Sequence, residues 1–166
     1  MEGRVTPTTA VPISYATNRS TRTDIAAHLA RCDAQFIPRL SSRVDLGAYA
    51  AKIAAHAERF EAWAEDGLVG LIAAYCNDPA RHACFITSVS VVPERNGQGI
   101  ATRLLRDCID HARRAGFALI RLQVRRCQET AIRLYEKCGF SAAPAEGPDI
   151  TMTLELTEVP ERHARL

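Results

Sequence analysis

The run Val91-Val92-Pro93-Glu94-Arg95-Asn96-Gly97-Gln98-Gly99-Ile100-Ala101-Thr102 sets two glycines just ahead of a strongly patterned helix. Glycine permits a tight turn there. The first helical turn leaves several backbone N–H groups unpaired at the positive end of the helix dipole. Such an arrangement binds a pyrophosphate and points to a nucleotide-like cofactor. The pattern Gly97-x-Gly99-x-x-Thr102 is a near miss for a dinucleotide fingerprint. No Gly-Lys-Ser/Thr follows, which excludes a nucleoside-triphosphate loop. After the next strand the chain offers Arg125 and Arg126, where a dinucleotide fold usually has an acid. A glycine turn alone is also explained by tight strand-to-helix geometry.

A second group lies further on. Gln128, Ala131 or Ile132, and Tyr135 fall at i, i+3 or i+4, and i+7, on one face of a helix. Such a face can front a cofactor, or Tyr135 can serve as an amphipathic core residue with a satisfied hydroxyl. No general base stands out. His82 reads as an exposed turn histidine and Glu94 as a solvated turn residue. Glu61 and Glu65 fall on an alternating strand and are expected to face solvent.

These residues need a scaffold. Ile13 to Thr17 predicts a short strand. Ile25, Leu29 and Cys32 predict a helix starting at Asp24, capped by Thr23 or Asp24. A polar break spans Pro38 to Arg43, and an alanine-rich helix follows from Asp45 to Glu58. Phe60 to Glu65 alternates as a half-buried strand, Asp66-Gly67 turns, and Leu68 to Cys76 returns. A turn at Asn77 to Ala80 leads to a third strand of this meander, Ala83 to Val92. The helix from Gly99 to Ala115 carries the stripe Ile100, Leu104, Leu105, Cys108, Ile109 and Ala112, and Gly116 stops it. Ile120, Leu122 and Val124 form a strand parallel to the previous one through a right-handed crossover. A helix from Glu129 to Cys138 and a strand from Ile150 to Leu156 complete an α+β fold. Its centre is a mixed, mostly antiparallel sheet of six or seven strands, with about four helices on its faces. Residues 1–12 and 158–166 are expected to be tails around a single domain, 13–157.

The 166 residues carry 21 basic and 19 acidic side chains, for a formal charge of +2, and 47% are hydrophobic. That balance argues for one folded domain and against a nucleic-acid binder. No apolar run is long enough to cross a bilayer, and the first residues lack a signal-peptide core. The six cysteines, at 32, 76, 84, 108, 127 and 138, form no C-x-x-C pair. They read as reduced, mostly buried side chains of a cytoplasmic protein. With the histidines scattered as well, no metal site is expected.

Two blocks together carry a specific resemblance. Val91 to Ala101 is followed, one helix and one strand later, by Leu122-Gln123-Val124-Arg125-Arg126-Cys127-Gln128-Glu129-Thr130-Ala131-Ile132-Arg133-Leu134-Tyr135-Glu136-Lys137-Cys138-Gly139-Phe140. In this order and spacing they resemble the GNAT N-acetyltransferase superfamily from about Ala83 to Phe140. Asn96 stands where that family usually has Arg or Gln, and Gln128 where it usually has Asn. The resemblance implies a GNAT-like sheet and acetyl-CoA as co-substrate. It implies cofactor contacts at Val91, Val92, Asn96, Gly97, Gln98, Gly99, Ile100, Ala101, Thr102, Gln128 and Ala131. It implies Tyr135 as general acid and a backbone N–H near Val91 as the oxyanion donor. A thiolate with a pKa of roughly 8.5 is a good leaving group beside a tyrosine of about 10.

The same resemblance places the acceptor opposite the cofactor, against the first two helices and their link. Ser41, Ser42 and Arg43 are candidates there, with Tyr75 and Asn77 at a strand end; a plain helix-to-helix turn accounts equally for the serines. Phe36 to Leu46 is similar to members tied to bacterial surface sugars, implying an amino sugar or another small polar amine. The expected activity is acetyl transfer to a primary amine of a small molecule, by a monomer or homodimer that engages neither nucleic acid nor membrane. Two alternatives stay open: a protein or peptide N-acetyltransferase, and a non-catalytic CoA-binding module.

Overall fold

The computed structural model describes residues 12–156. The expected tails therefore lie almost wholly outside the described residues. The elements run β1 (Ser14–Thr17), α1 (Arg22–Cys32), α2 (Leu46–His56), β2 (Glu58–Ala64), β3 (Gly67–Tyr75), β4 (Ala83–Val91), α3 (Ile100–Arg114), β5 (Leu119–Arg125), α4 (Glu129–Lys137), β6 (Ser141–Ala142) and β7 (Asp149–Glu155). Short 3-10 turns occupy Asp33–Gln35, Leu40–Ser42 and Pro93–Arg95. One seven-stranded sheet has the order β1-β2-β3-β4-β5-β7-β6. Every neighbouring pair is antiparallel except β4 and β5. The α+β expectation is met, and the two-residue β6 is an addition.

Three boundaries differ from the sequence expectation. Helix α1 starts earlier, because Thr21 and Asp24 form a reciprocal capping box: the Thr21 hydroxyl accepts from Asp24 N–H and the Asp24 carboxylate accepts from Thr21 N–H. Asp45 is the N-cap of α2, accepting from Ala48 N–H at 2.8 Å. That helix ends at His56, since Glu58 is already paired with Ala74 across β2 and β3.

Helix α3 buries the six residues of its expected stripe against one face of the sheet. Contact is close because β3 carries Gly70: a Cβ there would sit 2.8 Å from Ile100 Cγ2. The other face is covered by α1 and α2, whose Ile25, Leu29, Ala50 and Ile53 pack on Leu71 and Ala73 of β3.

The feature that positions the site is a fault in the sheet. Ala73 pairs with Ser88 but Ala74 pairs with Ile86, so Thr87 is an extra residue in β4. A bulge of this kind bends its strand and breaks the ladder on the far side. The parallel partners of β4 on β5 accordingly stop at Ile86 and Leu122. Beyond that point β4 continues to Val91 beside β3, while β5 continues to Arg125 beside β7. The two strands part, and a wedge opens between them.

Candidate functional site

The wedge opens into a cavity of about 420 Å³. Thr87, Ser88 and Val89 of β4 line one side, and Leu122 to Arg125 of β5 the other. Gln128, Ala131 and Tyr135 close it from α4, and Phe36, Leu40, Arg43, Val44 and Tyr49 close it from the α1–α2 segment.

The edge of β4 along the wedge is main chain without a strand partner. Val92 N–H donates to Val69 C=O at 2.9 Å, so Val92 points to β3. Successive strand residues point their main-chain groups to opposite sides. Val91 therefore faces away from β3, and its carbonyl accepts from the Gln35 amide at 3.0 Å. The main chain of Val89 shares that side by the same alternation. Val92 itself is fully buried in the core with its N–H already paired, so of the two valines expected at the cofactor only Val91 presents its main chain to the open side.

Past Val92 the 3-10 turn Pro93–Arg95 delivers the chain to Gly97 and Gly99, both at φ +80°. No Cβ at either would meet an atom within 4 Å. Backbone conformation, not lack of room, is what selects glycine at these positions. Gly99 is the N-cap of α3 and no side chain caps it. The N–H groups of Ile100, Ala101 and Thr102 thus open a 15-residue helix unshielded, below open space. Asn96 does not reach the cavity; its amide lies 3.5 Å from Gln35 Oε1.

On α4, Tyr135 is 6% exposed and its ring packs against Phe140 with centroids 6.0 Å apart. Among the described residues its hydroxyl has no hydrogen-bond partner. Burial pushes its pKa up to about 12, so it keeps its proton throughout the neutral range. The Gln128 side-chain Oε1 accepts from Arg125 N–H at 3.3 Å, which fixes the start of α4 on the end of β5. Arg125 in turn donates to Ile37 C=O at 3.1 Å and lies 3.6 Å from Asp149.

The opposite wall is made of side chains. The Tyr49 hydroxyl lies 2.8 Å from Thr87 C=O and 2.7 Å from Thr87 Oγ1, bracing α2 against the bulge. Ser88 is 4% exposed, and its Oγ has no hydrogen-bond partner. Sequence reasoning passed over Gln35, Tyr49, Thr87 and Ser88. The bulge that gathers them leaves no local signal, though Tyr49 four residues past the Asp45 cap was open to notice.

The expected acceptor residues separate. Arg43 lines the cavity. Ser41 instead gives its N–H and hydroxyl to the Asp33 carboxylate, both at 2.7 Å, holding that carboxyl below its usual range. The Ser42 hydroxyl donates to Arg39 C=O. Both serines therefore serve the turn. Tyr75 stacks under Lys52 with a buried, unpartnered hydroxyl, Asn77 is exposed, and neither lines the cavity.

Of the carboxylates weighed as bases, Glu61 requires correction: it is completely buried rather than solvent-facing. It accepts from the N–H groups of Arg19 and Ser20, the Ser20 hydroxyl and the Trp63 indole, beside the Arg59 guanidinium. Those partners fold over β2 and create an inside where alternation predicted an outside. His82 and Glu94 are exposed. Among the described residues no group of three or more His, Cys, Asp or Glu is placed to hold a metal, and no helix is long and apolar enough to cross a membrane.

A model of the acetyltransferase (GNAT) family matches residues 25–140. A Xenopus laevis protein described as "Probable N-acetyltransferase camello" is 36% identical over 73 residues, which is 44% of this chain and 33% of that protein. The match thus spans only about a third of that relative. Among solved structures, the ribosomal-protein-S18-alanine N-acetyltransferase from Escherichia coli superposes with a TM-score of 0.71 at 20% identity, covering 93% of this chain and all of the other. An N-acetyltransferase from Thermoplasma acidophilum in complex with coenzyme A gives 0.68 at 16% identity, covering 86% and 99%. At these identities the likeness speaks for the fold.

Proposed function

Because this chain belongs to the GNAT acetyltransferase family, we propose that it transfers an acetyl group from acetyl-CoA to the primary amine of a small molecule. The observation that carries this reading is the wedge between β4 and β5, with a proton-bearing tyrosine on one side and a side-chain chamber on the other.

The residues present fit acetyl-CoA. The unshielded N-terminus of α3, with Gly97 and Gly99, suits its pyrophosphate. The free main-chain edge at Val89 and Val91 suits the amides of its arm, with Gln35 yielding its place on the Val91 carbonyl. Gln128 and Ala131 flank the arm from α4. When bound, the co-substrate supplies a thioester carbonyl. The amine lone pair attacks that carbon, the carbon–sulfur bond breaks, one amine proton is lost, and the sulfur leaves as a thiol. Tyr135 keeps its proton on the hydroxyl oxygen at neutral pH, hydrogen-bonds or protonates the departing sulfur, and regains from water the proton that the amine lost. A main-chain N–H on the free edge of β4, near Val91, serves the carbonyl oxygen. Among the described residues Asp149 is the one carboxylate lining the chamber, and its pairing with Arg125 leaves water to carry away the amine proton. Phe36, Leu40, Val44 and Tyr49 wall the chamber on the α1–α2 side, and its volume of about 420 Å³ favours a small acceptor over an extended peptide.

Thermal shift and thiol release test this. Acetyl-CoA and CoA should raise the melting temperature, and an amine panel should release CoA thiol. Stabilisation by NADPH with none by either CoA species would sink the reading. Tyr135→Phe should lower kcat on the order of 100-fold at saturating substrates, with KM for acetyl-CoA unchanged. An unchanged kcat would remove Tyr135 from the chemistry.

A further inference from the structure

The chamber on the α1–α2 side has an unusual charge balance for a site that receives an amine. Its charged lining consists of two guanidinium groups, Arg43 and Arg125, against one carboxylate, Asp149. Arg125 is already engaged, by Asp149 at 3.6 Å and by Ile37 C=O at 3.1 Å. Arg43 is not: among the described residues its guanidinium has neither a carboxylate within 4.0 Å nor a hydrogen-bond partner. Its backbone is nonetheless fixed, with Arg43 N–H donating to Leu40 C=O at 2.9 Å. Ser88 also lines the chamber, and its buried Oγ has no hydrogen-bond partner. A buried hydroxyl left so is costly, and a ligand group aimed at it removes the cost.

Resting on the acetyltransfer reading above, we infer that the acceptor is a primary amine that also carries a carboxylate, held by Arg43 at the chamber mouth while its polar body meets Ser88 Oγ. The guanidinium fork matches a carboxylate in two parallel hydrogen bonds, which a lysine cannot reproduce. An anchored anion also fixes which end of the molecule faces the wedge. A polycationic acceptor meets net repulsion instead, since among the described lining residues only the engaged Asp149 offsets the two arginines. Arg43 is a specificity residue here and takes no part in bond making.

The test is a thiol-release panel of matched pairs: glycine, β-alanine, γ-aminobutyrate and the common α-amino acids, each beside its carboxamide. The acids should show a KM about 10- to 100-fold below that of their amides. Arg43→Gln should erase that difference by raising KM for the acids alone, leaving the amides and acetyl-CoA as they were. Arg43→Lys should restore part of it. Amides turned over as well as acids, or an Arg43→Gln effect on acetyl-CoA instead, would overturn the inference and leave acetyl transfer standing. Acetyl-CoA binding without thiol release to any amine would overturn the acetyl-transfer reading itself, and the inference with it.

Discussion

On the α3 side of the sheet the candidate site is made of main chain, and on the α1–α2 side it is made of side chains. The proposed cofactor half consists of a helix end, two glycines at positive φ and an unpaired strand edge. The proposed acceptor half is lined by Tyr49, Ser88 and Arg43, drawn from separate elements. The packing beneath differs in the same way. The residues α3 buries are apolar throughout its stripe. Under α1, His28 is buried between Leu68 C=O and Ser90 Oγ, each 2.9 Å away, and Glu61 and Arg59 are buried nearby. Main chain can present the same groups whatever residues surround it, which suits a ligand shared across a family. Side chains can be exchanged singly, which suits a variable partner. Polar groups buried beneath such a wall hold it in one arrangement, because each hydrogen bond has a direction.

The largest expected effect separates the two halves by stability. Glu61→Ala leaves the Arg59 guanidinium, 9% exposed, without its carboxylate and strands the buried Ser20 N–H and the part-buried Arg19 N–H. A loss of about 3–5 kcal/mol in urea unfolding is expected. If the loss is under about 1 kcal/mol, within the range of an ordinary surface pair, the buried network is not what holds the α1 side to β2.

This contrast also explains what could be read from the chain. The glycine turn, the α3 stripe and the α4 face are local patterns, spelled out over a dozen residues by backbone demands and helical periodicity. The β2-β3-β4 meander and the β4–β5 crossover were legible in the same way, whereas the places of β1 and β7 in the sheet rest on pairings between segments distant in sequence. The acceptor wall was out of reach because it depends on Thr87, one extra residue in a strand whose alternation otherwise looks regular. Glu61 was misjudged for a related reason: strand alternation tells which residues share a face, and a loop around Arg19 and Ser20, distant in sequence, decided that this face was covered. Ser41 and Arg43 sit two residues apart in one polar break, and only the fold sends one to a turn and the other to the chamber.

Acid should reveal the same asymmetry. Burial lowers the His28 pKa from 6.5 to about 4, opposed by its hydrogen bond to Leu68 and reinforced by Arg31. The unfolded chain therefore takes up this proton at higher pH than the folded one. The stability tied to neutral His28 is complete above about pH 6.5 and is lost as the pH falls towards 4, a change on the order of 3 kcal/mol. Unfolding free energies measured at pH 7 and pH 4 should differ by that much more in the wild type than in His28→Gln. Equal differences would show that the imidazole titrates freely.

A smaller effect should fall on the cofactor half alone. Gly99→Ala keeps the turn free of clashes but forces a side-chain-bearing residue to φ +80°, where L-residues are strained by about 1–2 kcal/mol. Relief of that strain re-aims the first N–H groups of α3. The KM for acetyl-CoA should rise on the order of 10-fold, with the acceptor KM unmoved. A shift in the acceptor KM of similar size would mean that the two halves are coupled through the wedge and are not built independently.

The smallest effect is the most discriminating within the polar break. Ser41→Ala and Ser42→Ala remove hydroxyls that already serve Asp33 and Arg39 C=O, while Arg43, one residue on, faces the chamber. If side chains act one at a time on the acceptor side, either serine variant should change the acceptor KM by less than about two-fold, as surface substitutions away from a site generally do. The downward pKa shift of the Asp33 carboxylate should at the same time shrink in the Ser41 variant, since the serine hydroxyl is its leading cause and only the backbone N–H remains. A pH titration of Asp33 by NMR reads this directly. An acceptor KM that follows the Asp33 titration would place the turn itself, and not Arg43 alone, in control of the chamber mouth.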